Sequence, residues 1–294
     1  MARFLGVVLT VAVVGYLGAG WYFSSQLITQ ERRPLALAEQ DLPEGIEPMS
    51  FVSDGLEIEG WYIPGTGSCG ILYLHGRGMN REQPLDWRVP FASFDCHEVL
   101  IDHRAHGASA GEFQTYGVKE RGDATVALEW LRRRADLEPA QIGVVGISYG
   151  AATALQMLPT NQDLAFVLAD SPFSDLRSVA EYQAVEQFGD LVLYLVEPAA
   201  IIAGLRARFD VDDAAPVDAV VGNEVPVLVV HDRGDPYTPF ANSEAIDAAD
   251  PDDPLVLVPF EGDDQHHQMV RTQTDRYVRV VGDFLAEYVP GFGA

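Results

Sequence analysis

The segment Gly146-Ile-Ser-Tyr-Gly150 constrains the fold of this chain more than any other feature. It follows an apolar run, residues 141–145, typical of a buried strand, and precedes residues 151–158, whose composition is typical of a helix. Such a strand-to-helix turn holds its serine in a strained backbone conformation with the hydroxyl exposed, and it needs glycine where a Cβ would clash. The alternative is an ordinary serine in a glycine-rich turn. The flanking strand and helix favour Ser148 as a nucleophile.

Candidate carboxylates follow later strands. Asp235 lies in a turn just past the β-branched run 226–230, and catalytic groups gather at the carboxyl ends of strands in open parallel sheets. Two other acids compete with it. We expect Asp232 to be a solvated turn residue and Asp170 to cap or brace a turn. Asp235 is therefore the predicted acid.

Two adjacent histidines supply a candidate base. His266 and His267 follow the last apolar run, residues 255–259, and precede a predicted amphipathic helix that ends near Tyr288. A serine hydroxyl is a weak nucleophile until an imidazole takes its proton, and a carboxylate must orient that imidazole. One of the two histidines should be this base. The sequence favours His266 and leaves His267 open.

A developing oxyanion needs backbone N–H donors near the nucleophile. One predicted donor is Tyr149, the residue after the serine. The second is Arg77, in the loop after an early strand, where Gly76 and Gly78 permit a close backbone approach. We expect His75 to brace this loop rather than to catalyse.

Taken together, these motifs resemble the α/β-hydrolase superfamily of serine hydrolases, in particular the bacterial ABHD13-like and Bem46-like proteins and the catalytic domains of S9 peptidases. The resemblance begins at about Met49 and keeps the family's chain order of serine, acid and histidine. Its matching stretches are His75-Gly-Arg-Gly78, Asp102-His-Arg-Ala-His-Gly-Ala-Ser109, Gly146-Ile-Ser-Tyr-Gly150, Asp170-Ser-Pro-Phe173, Gly234-Asp-Pro-Tyr-Thr-Pro239 and His266-His267. It implies an α/β-hydrolase fold and a Ser148–Asp235–histidine triad.

The alternation of β-branched runs with helical stretches predicts one α/β domain with a mostly parallel eight-stranded sheet and helices on both faces. Strands are predicted near 49–54, 57–63, 69–74, 97–102, 141–147, 164–169, 225–230 and 254–259, and a helix over 119–134.

A long interval separates the sixth and seventh predicted strands. Intervals of this length are often functional lids, so residues 171–224 are predicted to form a helical lid that roofs Ser148 and shapes an acyl-binding cavity. An ordinary packed crossover helix is the alternative. Pro198 is expected to break the apolar core of this insertion.

The N-terminal residues 5–23 carry no charge, are long enough to cross a bilayer and end in Trp21-Tyr-Phe23, as an interfacial aromatic belt would. A cleaved signal peptide is the alternative, although Gly18-Ala-Gly20 is a poor cleavage site. Arginines on both sides leave the orientation open. The predicted organisation is a transmembrane anchor at 1–24, a juxtamembrane tether at 25–48 and the hydrolase domain at 49–294.

The net charge of −25 makes nucleic acid an implausible partner, because nucleic-acid binding depends on Lys and Arg. Cys69 and Cys96 permit at most one disulfide, and we expect two buried, unpaired thiols. Asp263 and Asp264 stand beside the two histidines and are suitable metal ligands, but this position fits a triad histidine better. No metal or other cofactor is predicted.

These features predict a membrane-anchored serine hydrolase that cleaves a small-molecule acyl ester or thioester through an acyl-Ser148 intermediate. An S9-like peptidase is the nearest alternative, although the roughly 48 residues ahead of the domain leave no room for the large gating domain of that family. A non-catalytic anchored binding module on the same fold is the alternative from a different class.

Overall fold

A computed structural model describes residues 2–250, 254–262 and 265–293. Its centre is an eight-stranded sheet in the order β1-β2-β4-β3-β5-β6-β7-β8, in which β2 alone runs opposite to the other seven strands. The strands are β1 Glu47–Ser53, β2 Leu56–Ile63, β3 Gly70–Leu74, β4 His97–Ile101, β5 Ile142–Ile147, β6 Phe166–Asp170, β7 Val227–Asp232 and β8 Leu255–Phe260. All eight predicted strands are confirmed, each to within two residues at either end.

Helices cover both faces of the sheet, as predicted, because the parallel strands are apolar on both faces. On one face α2 and α3 pack against residues such as Leu72 and Val144, and on the other α9 packs with Trp87 and Phe166. The helices are α1 Ala2–Ile28, α2 Glu120–Ala135, α3 Tyr149–Met157, α4 Leu176–Phe188, α5 Leu193–Ala207, α6 Pro216–Ala219, α7 Ala241–Asp247, α8 Met269–Thr272 and α9 Thr274–Tyr288.

The insertion between β6 and β7 contains α4, α5 and α6, and we call it the lid. Pro198 lies inside α5 without ending it, so the expectation of a break there is wrong. A proline has no N–H to donate to the carbonyl four residues earlier, which here is that of Tyr194. That carbonyl instead accepts a hydrogen bond of 2.9 Å from the Tyr16 hydroxyl of α1. An interhelical contact thus replaces the missing intrahelical one.

Helix α1 is long and apolar enough to cross a membrane over Arg3–Ile28. Its C-terminal half packs along α5 and buries Gly20, Ser24 and Ile28. The chain after α1 also lies on the domain that follows it: the Arg32 guanidinium donates to the carbonyls of Gly107, Ser109 and Gly111. Because α1 ends at Ile28, it continues four residues into the segment 25–48 that was predicted as a tether.

Cys69 and Cys96 form a disulfide, with their Cα atoms 4.8 Å apart, so the expectation of two unpaired thiols is wrong. Each cysteine immediately precedes a strand, and the parallel register of β3 and β4 pairs Gly70 with His97. The register therefore places the two cysteines side by side at the start of neighbouring strands.

Candidate active site

Ser148 occupies the sharp turn between β5 and α3. Its backbone has φ 54° and ψ −113°, a region that non-glycine residues rarely adopt. The two flanking glycines are required by space. A Cβ at Gly146 would lie 2.3 Å from the Gly150 carbonyl oxygen, and one at Gly150 would lie 2.1 Å from the Leu74 carbonyl oxygen. The turn can form only with glycine at both positions, and it projects the serine side chain beyond the sheet.

The structure brings Ser148, His266 and Asp235 into one hydrogen-bonded line. Ser148 Oγ lies 2.6 Å from His266 Nε2, and His266 Nδ1 lies 2.5 Å from Asp235 Oδ2. An ionised carboxylate only accepts hydrogen bonds, so the imidazole proton belongs on Nδ1. Nε2 is then free to accept the serine hydroxyl proton. The arrangement has the geometry that proton transfer from a serine requires.

Asp235 is buried and heavily hydrogen-bonded. Its Oδ1 accepts the backbone N–H groups of Tyr237 and Thr238, at 2.8 and 3.0 Å. Burial raises the pKa of Asp235, but hydrogen bonds from His231 and His266 outweigh it and hold this pKa below the usual range. The carboxylate therefore stays ionised and holds the orientation of His266.

His231, at the end of β7, is a site residue to which the sequence assigned no role. Its Nε2 lies 2.8 Å from the Thr238 carbonyl and 3.2 Å from Asp235 Oδ2, and its Nδ1 lies 2.6 Å from Ser243 Oγ. Because a carbonyl only accepts, Nε2 carries the proton and Nδ1 accepts from the serine. The only sequence signal was a polar residue at the end of an apolar strand.

The two competing acids occupy other environments. Asp170 is buried and accepts hydrogen bonds from Trp87 Nε1 at 2.8 Å, Tyr277 at 3.0 Å and Ser171 at 2.9 Å. It braces the loop after β6. Asp232 is fully buried at the end of β7, so the expectation of a solvated residue is wrong. Its carboxylate turns inward to accept the Gly234 N–H at 2.8 Å, which closes the turn that carries Asp235.

His267 lies beside the line of hydrogen bonds rather than in it. Its ring is 4.5 Å from that of His266 and 5.9 Å from that of Trp87. Burial lowers the pKa of His267 to about 3, and the neighbouring His266 adds to this effect. Asp263 and Asp264 lie outside the described residues. Within the described parts of the chain, no cluster of His, Cys, Asp and Glu side chains is arranged to hold a metal ion.

Tyr149 and Arg77 both line the cavity that contains Ser148. Tyr149 is the first residue of α3, where backbone N–H groups have no acceptor within the helix. The loop of Arg77 is held in place by its neighbours: Gln83 accepts the Gly76 N–H at 2.6 Å, and His75 bridges the Gly76 carbonyl to the loop after β4.

The cavity above Ser148 measures about 650 Å³. Its floor carries Ser148 and His266, its roof is the lid, and one wall is the end of α1. The apolar lining includes Phe23, Leu27, Tyr116, Phe173, Leu176, Val179, Phe188, Val192, Leu195, Val196 and Ala200. The lining also contains polar side chains, namely Gln26, Gln30, Arg77, Arg177, Gln183, Gln187, Gln265 and Gln268. A mostly apolar chamber with a smaller number of polar groups suits a ligand with one reactive polar group and an apolar body.

Comparison with known proteins agrees with this fold. The X-Pro dipeptidyl-peptidase (S15) family matches residues 82–201. Rv2307c, an uncharacterized protein of Mycobacterium tuberculosis, is 31% identical over 253 residues, which are 84% of this chain and 83% of that protein. The esterase Pf2001 of Pyrococcus furiosus has a TM-score of 0.68 at 20% identity, covering 90% of this chain and 98% of its own. The acylaminoacyl peptidase of Pyrococcus horikoshii has a TM-score of 0.63 at 17% identity, covering 83% of this chain and 42% of its own.

The sheet order and the serine turn define the class of protein, and the relatives agree with it. The chain belongs to the α/β-hydrolase superfamily of serine hydrolases. The resemblance inferred from the motifs is thereby confirmed, and so is the predicted fold class.

Proposed function

We propose that this protein is a membrane-anchored serine hydrolase that cleaves a carboxylic ester or thioester through an acyl-Ser148 intermediate. The observation that carries the proposal is the line Asp235–His266–Ser148, with distances of 2.5 and 2.6 Å, at the floor of an apolar cavity. Ser148 is the nucleophile, His266 the general base and Asp235 the orienting acid.

In the first half of the reaction Ser148 Oγ attacks the acyl carbonyl carbon while His266 Nε2 takes the hydroxyl proton. The negative charge that develops on the carbonyl oxygen is stabilised by the backbone N–H groups of Tyr149 and Arg77. The bond to the leaving oxygen or sulfur then breaks. His266 donates its proton to the leaving group, which departs as an alcohol or thiol.

In the second half His266 takes a proton from water, and the resulting hydroxide attacks the acyl-serine carbonyl carbon. Ser148 Oγ leaves and recovers the proton from His266, which releases a carboxylic acid. Throughout, Asp235 stabilises the imidazolium and keeps its Nδ1 protonated. The chain's own residues thus complete the cycle.

A peptidase is the second candidate, because the S15 family matches part of the chain and an acylaminoacyl peptidase shares its fold. The mostly apolar lining around the serine–histidine pair favours a substrate with a large apolar acyl group. The fold of the esterase Pf2001 also supports the ester assignment.

The packing of α1 supports an anchor that is retained. Cleavage after Gly20 would remove Tyr16 and most of a helix whose end contacts α5 and walls the cavity. The Cys69–Cys96 disulfide supports a hydrolase domain outside the cytoplasm, because disulfides persist in oxidising compartments. We expect the full chain to stay with membranes through a carbonate wash and to lack an accessible thiol.

The decisive experiment is labelling of the membrane-bound full chain with a fluorophosphonate probe, followed by assays on paired ester and anilide substrates with the same acyl group. We expect labelling and ester hydrolysis in the wild type and neither in Ser148→Ala. The Ser171→Ala variant, which removes a hydroxyl outside the hydrogen-bonded line, is the matched control. Anilide cleavage faster than ester cleavage would favour the peptidase, and a folded wild type without labelling would favour a binding module.

A further inference from the structure

Helix α1, the proposed anchor, forms one wall of the cavity in which the ester would bind. Phe23, Gln26 and Leu27 of α1, and Gln30 just after it, line the same cavity as Ser148. The Leu27 carbonyl also accepts hydrogen bonds from the domain, from Gln114 at 2.7 Å and Tyr116 at 3.0 Å. The end of the apolar helix is thus fixed to the site rather than joined to it by a flexible link.

Helices α1 and α5 run parallel and side by side. Along α1, Tyr16 contacts Tyr194 and Gly20 faces Ile202, where a Cβ would lie 3.1 Å away. Further on, Ser24 binds Arg206 at 2.7 Å. The contacting residue numbers increase in the same direction along both helices, so the helices are parallel. The start of α5 therefore lies beside Tyr16, well inside the apolar part of α1.

This alignment sets the depth of the lid relative to a bilayer. The apolar residues 5–23 span about 28 Å as a helix, close to the thickness of a hydrocarbon core. Tyr16 precedes Phe23 by seven residues, so the start of α5 lies roughly 10 Å inside that span. A membrane crossed by α1 therefore meets the lid.

The part of the lid at this depth is apolar and exposed. We define the lid tip as residues 188–195, the end of α4 and the start of α5. Leu191 is 80% and Tyr194 is 75% exposed, and Phe188 and Leu193 are also exposed. Asp190 is the one charged residue in the tip. Such a patch is unfavourable in water and suits contact with the apolar part of a bilayer.

The lid tip and α1 meet at Phe23 and Phe188, whose ring centroids are 5.2 Å apart and which both line the cavity. We infer that the lid tip inserts into the bilayer that α1 crosses, and that the acyl chain of a membrane-resident lipid ester reaches Ser148 laterally where α1 and the lid tip meet. This inference rests on the proposed acyl-Ser148 chemistry and on the anchor. The substrate class is a long-chain acyl ester dissolved in the membrane.

Insertion is tested first, with a readout that is independent of catalysis. The full chain is reconstituted in phosphatidylcholine vesicles, a neutral lipid chosen because the protein carries a net charge of −25. An NBD fluorophore is attached to Leu191→Cys or, as the matched control, to Val52→Cys, an exposed position on β1. We expect spin-labelled phosphatidylcholine to quench the fluorophore at 191 and not at 52. Absence of quenching at 191 would overturn the inference, whether or not the protein is an active hydrolase.

Lateral entry is tested with methylumbelliferyl oleate in the vesicles and methylumbelliferyl butyrate in solution. Neither Leu191 nor Tyr194 lines the cavity, so the double variant Leu191→Asp/Tyr194→Asp should remain labelled by fluorophosphonate and keep its butyrate rate. Its oleate rate should fall about tenfold or more, because a charge at this depth opposes insertion. Val52→Asp should change neither rate.

An unchanged oleate rate in the double variant would overturn lateral entry. If that variant loses labelling through misfolding, quenching of the fluorophore at position 191 still tests insertion of the lid tip. If the NBD fluorophore on Leu191→Cys is quenched but the wild type is not labelled by fluorophosphonate, the proposed hydrolase is rejected and insertion of the lid tip still holds.

Discussion

The Tyr16 hydroxyl donates a hydrogen bond of 2.9 Å to the Tyr194 carbonyl, the group that Pro198 deprives of its helical donor. An unpaired carbonyl in an apolar setting is costly, so this bond joins α1 to α5 at the point where α5 is weakest. Helices α1 and α5 are consequently one packed unit beside the cavity, and a change in either helix affects the other.

Removal of the Tyr16 hydroxyl should therefore weaken the whole unit. Tyr16→Phe leaves the Tyr194 carbonyl unpaired and should destabilise the fold by about 1 kcal/mol, more where lipid replaces water. Thermal unfolding of the full chain in detergent measures this. Tyr22→Phe is the matched control, since the Tyr22 hydroxyl makes no hydrogen bond with the described residues. Equal melting temperatures for the two variants would contradict the coupling.

The two buried carboxylates near the site should differ in what their loss affects. Asp235→Asn removes the acceptor for the His266 Nδ1 proton and favours the wrong tautomer, which costs on the order of 10⁴ in kcat in the trypsin-type triad. Asp170→Asn turns an N–H group toward donors such as Trp87 and Tyr277, so it should lower the melting temperature and spare kcat in the folded fraction. Both quantities are measured for each variant. A larger kcat loss in Asp170→Asn would move the acid to β6.

Substitutions of the two adjacent histidines should also differ in their effect on kcat. His266→Ala removes the group 2.6 Å from Ser148 Oγ and should lower kcat by several orders of magnitude with little change in KM. His267→Ala removes a ring packed beside Trp87 and should keep at least about a tenth of the activity. Steady-state kinetics on a short ester compares them. An inactive His267→Ala beside an active His266→Ala would shift the base by one residue.

The local parts of this structure were predictable from sequence, because their causes are local. The glycines on either side of Ser148 indicate a turn without room for a Cβ atom, and β-branched runs indicate strands that are buried on both faces. The position of Asp235 just past β7 follows from the same reasoning. All eight strands and the fold class are confirmed on this basis.

The parts that could not be predicted depend on contacts between distant residues. The Cys69–Cys96 pairing follows from the register of β3 and β4, which no local pattern encodes. The burial of Asp232 depends on how its turn folds back. The role of Phe23 in the cavity wall depends on docking against Phe188, more than 160 residues away in the chain. Helical and strand periodicity contain no information about such pairs.

Three buried histidines beside the nucleophile turn predict how stability responds to acid. His75, His103 and His106 lie close together, with the His75 ring 4.6 Å from that of His103 and 5.1 Å from that of His106. Burial lowers the pKa of His75 to about 4 and that of His106 to about 3, and it holds the pKa of His103 well below the usual value. His75 and His106 are therefore neutral in the folded protein near pH 5.

In the unfolded chain these histidines titrate near pH 6.5, so between pH 6.5 and 4 the unfolded state binds more protons than the folded state. Their contribution to stability is thus fully present above pH 6.5 and is lost as the pH falls toward 4. The loss is on the order of 1 kcal/mol per pH unit for each of His75 and His106. His106→Asn tests this, because the amide can keep the 3.0 Å bond to the Arg104 carbonyl without a titrating ring. In urea unfolding of the full chain at pH 6.5 and pH 5, the variant should lose less stability than the wild type; equal losses would show that His106 is not part of the response.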